Sequence, residues 1–200
     1  MFPLLSILLV GWIVGPGAFA QSGCPATHRD VLGPYYLHGV PYQRVVCSGG
    51  PYLLVYGTVR DTSCSVVSGA TLELWQADSS ARYYMNTGML NFCRGKVTTD
   101  PQGRYSFITI RPGKYGWGWY RRPAHVHLRV TAPGRQTLVT QMYFSGDSNL
   151  GDQDPCGSCG SENPSQVAEP RTPSGAEGSY TVAGTTYTVS EVAEWDIVLI

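Results

Sequence analysis

The sequence has little charge and no charge of one dominant sign. Its 14 basic and 14 acidic residues give a formal net charge of zero. Such a chain has no field that would concentrate nucleic acid or anionic lipid, so neither is expected as a partner. It has no acceptor for N-glycosylation, because Pro164 follows Asn163. It also lacks any long stretch with a helical apolar period, which argues against a helical fold.

The amino terminus lacks charged side chains altogether. Residues 1–20 form an apolar run that Gly and Pro interrupt, and the run ends in Ala18-Phe19-Ala20. This pattern predicts a signal peptide that is cleaved before Gln21, leaving residues 21–200 as one secreted, extracellular domain with no attachment to a membrane. A retained membrane anchor is the alternative, since the basic residue usual near the start of a signal peptide is missing.

Cysteine is present in an even number after this segment. In a chain sent to an oxidising compartment, six cysteines predict disulfides, although the sequence does not determine their pairing. Cys156 and Cys159 could instead form a zinc or redox pair, but no second CxxC follows and no histidine is near them in sequence. The six are Cys24, Cys47, Cys64, Cys93, Cys156 and Cys159.

From Pro51 onward, short runs of β-branched and aromatic residues alternate with turn residues. This spacing is typical of a β-sandwich or barrel, and we predict an all-β, single-domain β-sandwich. Two segments, 79–99 and 145–178, fit no regular element and are predicted to be long irregular loops, which usually form either a functional rim or a flexible segment. The predicted strands are 52–60, 71–76, 103–109, 125–130, 137–144, 179–188 with a turn at Ala183-Gly184, and 195–199.

One predicted strand carries the motif His125-Val126-His127. In a strand, both imidazoles project from the same face, so both can reach one metal ion. Neutral imidazole suits iron, copper, zinc or nickel, and the motif does not choose among these metals. Two histidines on a solvent-facing strand are the simpler interpretation of this pair by itself.

The residues ahead of the pair supply aromatic rings rather than acidic or thiol ligands. If phenolates complete a metal site, the ion must be hard and highly charged, because a tyrosine of pKa about 10 is otherwise protonated near neutrality. Ferric iron fits this requirement. Most tyrosines of such a chain are nevertheless expected to be amphipathic sandwich residues. The rings are those of Tyr83, Tyr84, Tyr115, Trp117, Trp119 and Tyr120.

These motifs belong to an ordered series of blocks that resembles the intradiol ring-cleavage dioxygenases, including their secreted relatives. Six or more blocks in order are far more specific than His-x-His alone. The blocks are Gly33-Pro34-Tyr35-Tyr36, Ala70-Thr71-Leu72-Glu73-Leu74-Trp75-Gln76-Ala77-Asp78, Arg82-Tyr83, Phe92-Cys93-Arg94-Gly95, Thr99-Asp100, Arg111-Pro112-Gly113-Lys114-Tyr115, Arg122-Pro123-Ala124-His125-Val126-His127 and Thr140-Gln141-Met142-Tyr143-Phe144.

The resemblance implies a non-haem Fe(III) site and a role for each matching residue. The implied iron ligands are Tyr83, Tyr115, His125 and His127. Tyr115 would be the axial tyrosine, which leaves iron when a catechol binds and accepts a proton from it. Tyr84 is the alternative to Tyr83. The implied reaction cleaves a catechol ring with O2 to a cis,cis-muconate and needs no organic cofactor.

The resemblance also implies that two further residues, Arg122 and Gln141, stabilise negative charge on the bound substrate. Little precedes Gly33 in the mature chain, whereas larger bacterial relatives carry a helical dimerisation segment there, so a monomer is expected. The short, Trp-rich segment 116–120 and Val97 depart from the family pattern and leave the particular catechol open.

Three other interpretations remain at the level of sequence. A secreted β-sandwich rich in aromatic residues could be a binding module for phenolics or carbohydrate without catalysis. The His-x-His pair could bind copper or zinc in a hydrolase or adhesion protein. Glu73 and Asp78 could form a carboxylate pair for glycoside hydrolysis, but we expect both to be ordinary surface carboxylates.

Overall fold

The computed structural model describes residues 23–85, 88–118 and 120–200, so the predicted signal peptide and Trp119 lie outside the described residues. These residues contain no helix long and apolar enough to cross a membrane. Their helices are three 3-10 turns at Gly151–Gln153, Pro164–Gln166 and Gly175–Gly178. Their strands are β1 Tyr52–Asp61, β2 Thr71–Gln76, β3 Arg94–Thr98, β4 Arg104–Ile110, β5 Gly116–Trp117, β6 Tyr120–Arg121, β7 His125–Thr131, β8 Leu138–Phe144, β9 Val167–Ala168, β10 Ser179–Val182, β11 Thr185–Glu194 and β12 Ile197–Leu199.

Two five-stranded sheets account for most of these strands, so the predicted all-β fold is confirmed. In the first sheet β1 pairs antiparallel with β4 on one side and parallel with β11 and then β12 on the other. Gly57 permits the change from β11 to β12, because a side chain there would collide with the backbone carbonyl of Trp195. The second sheet has the order β3-β2-β7-β8-β9, and β5 and β6 form a separate hairpin.

The main core lies between the two sheets. From the first sheet it receives Leu53 and Val55, and from the second it receives Leu74 and Leu128, all fully buried. Burying each such side chain contributes about 1.5–3 kcal/mol of stability. Because successive residues of a strand face opposite sides, the other residues of β2, β7 and β8 project from the outer face of the second sheet. That outer face holds the candidate site.

The predicted irregular segment 79–99 is wrong at its end, where β3 forms an edge strand. The sequence does not indicate this strand, because Arg94 and Lys96 are charged and alternate with a glycine and a valine. Gly95 is needed there, because a Cβ would lie 2.8 Å from Cγ of Gln43 in the segment that packs on this edge. The predicted turn at Ala183-Gly184 joins β10 and β11. The predicted strand at 195–199 is shorter than expected, since Trp195 lies between β11 and β12.

All six cysteines form disulfides, which confirms the structural interpretation and leaves no free thiol among the described residues. The zinc alternative for the CxxC pair is not what the structure shows. The bridges are Cys24–Cys64, Cys47–Cys93 and Cys156–Cys159.

Candidate active site

The two histidines of β7 lie side by side on the outer face of the second sheet. His125 and His127 are 2% and 1% exposed, and their ring centroids are 4.8 Å apart. Val126 and Leu128, the alternating residues, enter the core. The predicted common face is therefore observed, but it is covered by loops rather than exposed to solvent.

Neighbouring residues fix both imidazole rings. Trp75, opposite His127 on β2, stacks on its ring at 4.9 Å with an interplanar angle of 4°. Gly33 lies on an edge of the same ring, where a Cβ would be 3.1 Å from Cε1. The carbonyl of Pro123 lies 2.7 Å from Nδ1 of His125. A proton on Nδ1 satisfies this contact and leaves the lone pair on Nε2 for a metal.

Both histidines are held neutral. Burial lowers the pKa of His125 to about 3, and the nearby Arg122 charge adds to this effect. Burial also lowers the pKa of His127 well below its ordinary value, with further contributions from His125, Arg122 and Arg94. Neutral imidazole is the form that binds metals.

Two tyrosines complete a group of four rings with the histidines. The rings of Tyr83 and Tyr115 meet edge to face at 5.6 Å, Tyr83 is 6.3 Å from His127, and Tyr115 is 5.5 Å from His125. The hydroxyl of Tyr83 is buried and has no hydrogen-bond partner in the described part of the chain. Tyr84 lies elsewhere, since its hydroxyl donates to Asp78 at 2.8 Å.

The side chain of Arg122 extends over the same group. Its Nη1 donates to Oε1 of Gln141 at 3.1 Å and lies 3.5 Å from Nε2 of His125. Asp154 accepts from Nε and Nη2, each at 3.1 Å, and Tyr143 accepts from Nη2 at 2.9 Å. Burial disfavours the cation, but the hydrogen bonds to Asp154 and the charge of that carboxylate hold the pKa of Arg122 above its ordinary value.

A cavity of about 310 Å³ opens beside these groups. Tyr115 and Arg122 form its inner wall, and Trp117, which is 87% exposed, and Tyr120 form its rim. A larger groove of about 550 Å³ elsewhere on the surface includes none of the four rings. A small molecule bound in the 310 Å³ cavity would therefore contact Tyr115 and Arg122.

The donor set decides which metal could fit. No group of three His, Cys, Asp or Glu residues with metal-binding geometry occurs among the described residues. The convergent donors are instead two imidazoles and two phenols, one of them the unpartnered Tyr83 hydroxyl. Phenolate ligands require a hard, highly charged ion, and ferric iron meets that requirement.

Comparison with known proteins identifies the family. A family model described as dioxygenase, Dioxygenase_C, matches residues 32–199. This chain belongs to the intradiol dioxygenase family. The match begins beside Gly33 and covers both sheets, so it includes the four rings, Arg122 and Gln141.

Curated relatives of this family member are ring-cleaving dioxygenases. A chlorocatechol 1,2-dioxygenase of Rhodococcus opacus is 30% identical over 170 residues, which are 68% of this chain and 63% of that protein. The protocatechuate 3,4-dioxygenase beta chain of Burkholderia cepacia is 38% identical over 114 residues, 50% of this chain and 48% of that protein. The chain thus spans about half to two thirds of the length of these relatives.

Solved structures of the family share the fold. The dioxygenase domain of a dioxygenase carbohydrate-binding protein fusion from Streptomyces sp. SirexAA-E has a TM-score of 0.69 and 28% identity, covering 88% of this chain and 98% of that chain. Catechol 1,2-dioxygenase from Pseudomonas arvilla C-1 has a TM-score of 0.71 and 28% identity, covering 86% of this chain and 62% of that chain.

The candidate site includes residues to which the sequence analysis gave no role. Tyr35 stacks on Tyr83 at 4.1 Å. Asp154 pairs with Arg122 from the second of the predicted irregular loops, and Asp30 accepts from the Tyr143 hydroxyl at 2.9 Å. Only the position of Asp154 in that loop could have drawn attention to it.

The expectation that Glu73 and Asp78 are surface carboxylates is wrong for Asp78, which is 6% exposed. Its carboxylate accepts from the backbone of Ser80 and Arg82. It thereby shapes the loop that carries Tyr83. Glu73 pairs with Arg129 at 2.7 Å. Both acidic residues therefore have structural partners.

Proposed function

We propose that this chain is a secreted, non-haem Fe(III)-dependent intradiol dioxygenase that cleaves catechol-type substrates with O2 to cis,cis-muconate products. The names of its relatives support the reaction class. The four convergent rings support the metal, and the cavity beside Arg122 supports a small aromatic substrate.

The observation that carries the proposal is the buried Tyr83 hydroxyl without a hydrogen-bond partner in the described chain. Leaving such a group unsatisfied costs about 1–3 kcal/mol, and a metal bond would remove that cost. Tyr83, Tyr115, His125 and His127 would hold the ion. Bound ferric iron would supply Lewis acidity that draws electron density from a catechol and activates its ring toward O2.

The protein's own residues perform the remaining tasks. Tyr115 lines the cavity and is placed to accept a proton from a catechol hydroxyl. Arg122 lines the same cavity, and its fixed positive charge stabilises negative charge that develops on the substrate. Gln141 and Asp154 hold the guanidinium in that position. Tyr35 lines the same cavity and stacks on Tyr83, so it packs one of the proposed ligands in place.

Secretion is part of the proposal and is supported by the three disulfides. Structural bridges persist mainly in oxidising compartments. A cleaved signal peptide at residues 1–20 and a monomeric state complete the proposed description. Amino-terminal sequencing of the protein recovered from culture medium would check the cleavage before Gln21.

The test compares two adjacent tyrosines. Tyr83→Phe should abolish iron retention and oxygen uptake with intact folding, because its hydroxyl has no hydrogen-bond partner among the described residues. Tyr84→Phe is the matched control and should keep iron, since that hydroxyl binds Asp78. Elemental analysis, the visible spectrum and oxygen uptake with a panel of catechols are the measurements.

Full iron occupancy in Tyr83→Phe would show that the ligand assignment is wrong. An unmutated, iron-loaded protein that consumes no oxygen with any catechol would instead favour the binding module. Iron content and oxygen uptake therefore separate an error in the ligands from an error in the function.

A further inference from the structure

Arg94 is a buried cation without an acidic partner. It is 0% exposed, and its Nε and Nη1 have no hydrogen-bond partner in the described part of the chain. Its Nη2 donates to the carbonyl of Tyr84 at 3.2 Å and to Sδ of Met85 at 3.1 Å. Arginine is rarely fully buried unless it is paired, because removing its charge from water is costly. This arginine therefore needs an explanation.

Its place in the sheet brings it to the back of the candidate iron site. On β2, Trp75 is the direct cross-strand neighbour of Arg94 on β3 and of His127 on β7. They therefore share the outer face that holds the four rings. The carbonyl that Nη2 binds belongs to Tyr84, the residue after Tyr83. The guanidinium thus supports the segment that carries Tyr83.

Arg94 and the Tyr83 hydroxyl are both buried, and Arg94 binds the backbone of the residue that follows Tyr83. Arg94 has unused donor nitrogens, and Tyr83 has an unused hydroxyl. Each buried group lacks what the other would supply once Tyr83 is ionised.

We propose that Arg94 is a positioning residue that provides the internal counter-charge for a Tyr83 phenolate and so strengthens the binding of ferric iron. The inference rests on the proposed function, because a bound ferric ion is what would keep Tyr83 ionised. Tyr115 has a different cation, since the guanidinium carbon of Arg122 lies 6.0 Å from its ring centroid. The site thus has two arginines, with Arg94 behind it and Arg122 at the substrate cavity.

The test removes the charge with two neutral variants and keeps it with a third. Arg94→Met and Arg94→Gln should weaken ferric affinity by about 10–100-fold, the usual range for losing a group that supports a metal ligand. Arg94→Lys should stay closer to the unmutated protein. In the neutral variants the tyrosinate-to-iron absorption band should move to longer wavelength, because a phenolate without its counter-charge gives up an electron more easily. Competition with a ferric chelator and the visible spectrum measure both effects.

Metal-free protein provides the readout that a purely structural role would not give. Without iron, Arg94→Met removes an uncompensated buried charge, so the unfolding temperature should stay the same or rise. Arg104→Met is the control, since Arg104 is exposed and pairs with Asp100. Its removal takes away the same charge at the start of β4, in the other sheet, and should leave ferric affinity unchanged.

Three outcomes overturn the inference. Equal ferric affinity and an unmoved band in Arg94→Gln and the unmutated protein would do so. Equal losses of ferric affinity in Arg94→Gln and Arg94→Lys would also do so, because the shape of the side chain rather than its charge would then matter. This comparison does not depend on whether Arg94→Met folds. An unmutated protein that binds no ferric iron would refute the proposed function and this inference together, whereas the first two results refute only the inference.

Discussion

Replacing Arg122 by alanine should damage both catalysis and stability, and the structure separates the two effects. Arg122 is 8% exposed and forms hydrogen bonds with Asp154, Gln141 and Tyr143. The side chain of Asp154 is 1% exposed. Without the arginine this carboxylate is buried and unpaired, and breaking such a pair from one side costs about 3–5 kcal/mol. Arg122→Ala should therefore unfold more easily, whatever its role in the reaction.

The catalytic loss should appear in turnover rather than in iron binding. If Arg122 stabilises charge that develops on the substrate, Arg122→Ala should slow turnover by roughly a hundredfold or more, about 3 kcal/mol. Arg122→Lys should recover only part of this, since an ammonium does not reproduce the planar guanidinium that Asp154 and Gln141 orient. Oxygen uptake at saturating catechol measures turnover, and the colour change on catechol addition measures binding.

A double variant provides the control for stability. Arg122→Met combined with Asp154→Asn removes both buried charges, so much of the lost stability should return while turnover stays low. Turnover that recovers together with stability would show that the loss was structural. Unaltered oxygen consumption in Arg122→Ala would refute the catalytic role directly.

Three further outcomes follow from single features of the structure. Reduction of the disulfides should lower the free energy of unfolding by about 4 kcal/mol for each of the bridges with sequence separations of 40 and 46 residues, and by about 2 kcal/mol for Cys156–Cys159. Denaturant unfolding measures this loss. Thiol titration that finds two or more reactive thiols in the unreduced protein would contradict the three bridges. Gly33→Ala should weaken iron retention, because Gly33 has φ +70° and a Cβ would press on the ring of His127; unchanged iron content would exclude that contact. Trp117→Ala should change the free energy of unfolding by less than about 0.5 kcal/mol and raise KM for catechols, since the side chain is 87% exposed at the cavity; an unchanged KM would remove it from the substrate path.

The strands were predictable where their apolar alternation is regular. β2 and β7 place every second residue in the core, so the pattern around His125 and Leu74 shows in the sequence. β3 was not predictable, because two of its residues are atypical of a strand. Position 95 is a glycine because Gln43 packs closely against it, and Arg94 is a charged residue that is nevertheless buried. Arg94 faces a covered surface, and composition alone cannot distinguish that surface from solvent.

The candidate site was partly predictable for a similar reason. The period of two in a strand is enough to place His125 and His127 on a common face from the sequence alone. Nothing local connects Tyr83 with Tyr115, which only the family resemblance brought together. The contacts of Asp30 and Asp154 depend on how two irregular segments fold over β8, and no local pattern encodes such contacts.

The proposed enzyme would insert both atoms of dioxygen into a catechol ring at a ferric site held by two tyrosines and two histidines. The most direct measurement is ring cleavage under isotopically labelled O2 by the iron-loaded protein, with mass analysis of the product. The proposal predicts one oxygen molecule consumed per catechol and a cis,cis-muconate that carries both labelled atoms. A product with fewer labelled oxygens from O2, or a burgundy, iron-loaded protein that leaves every catechol intact, would contradict it.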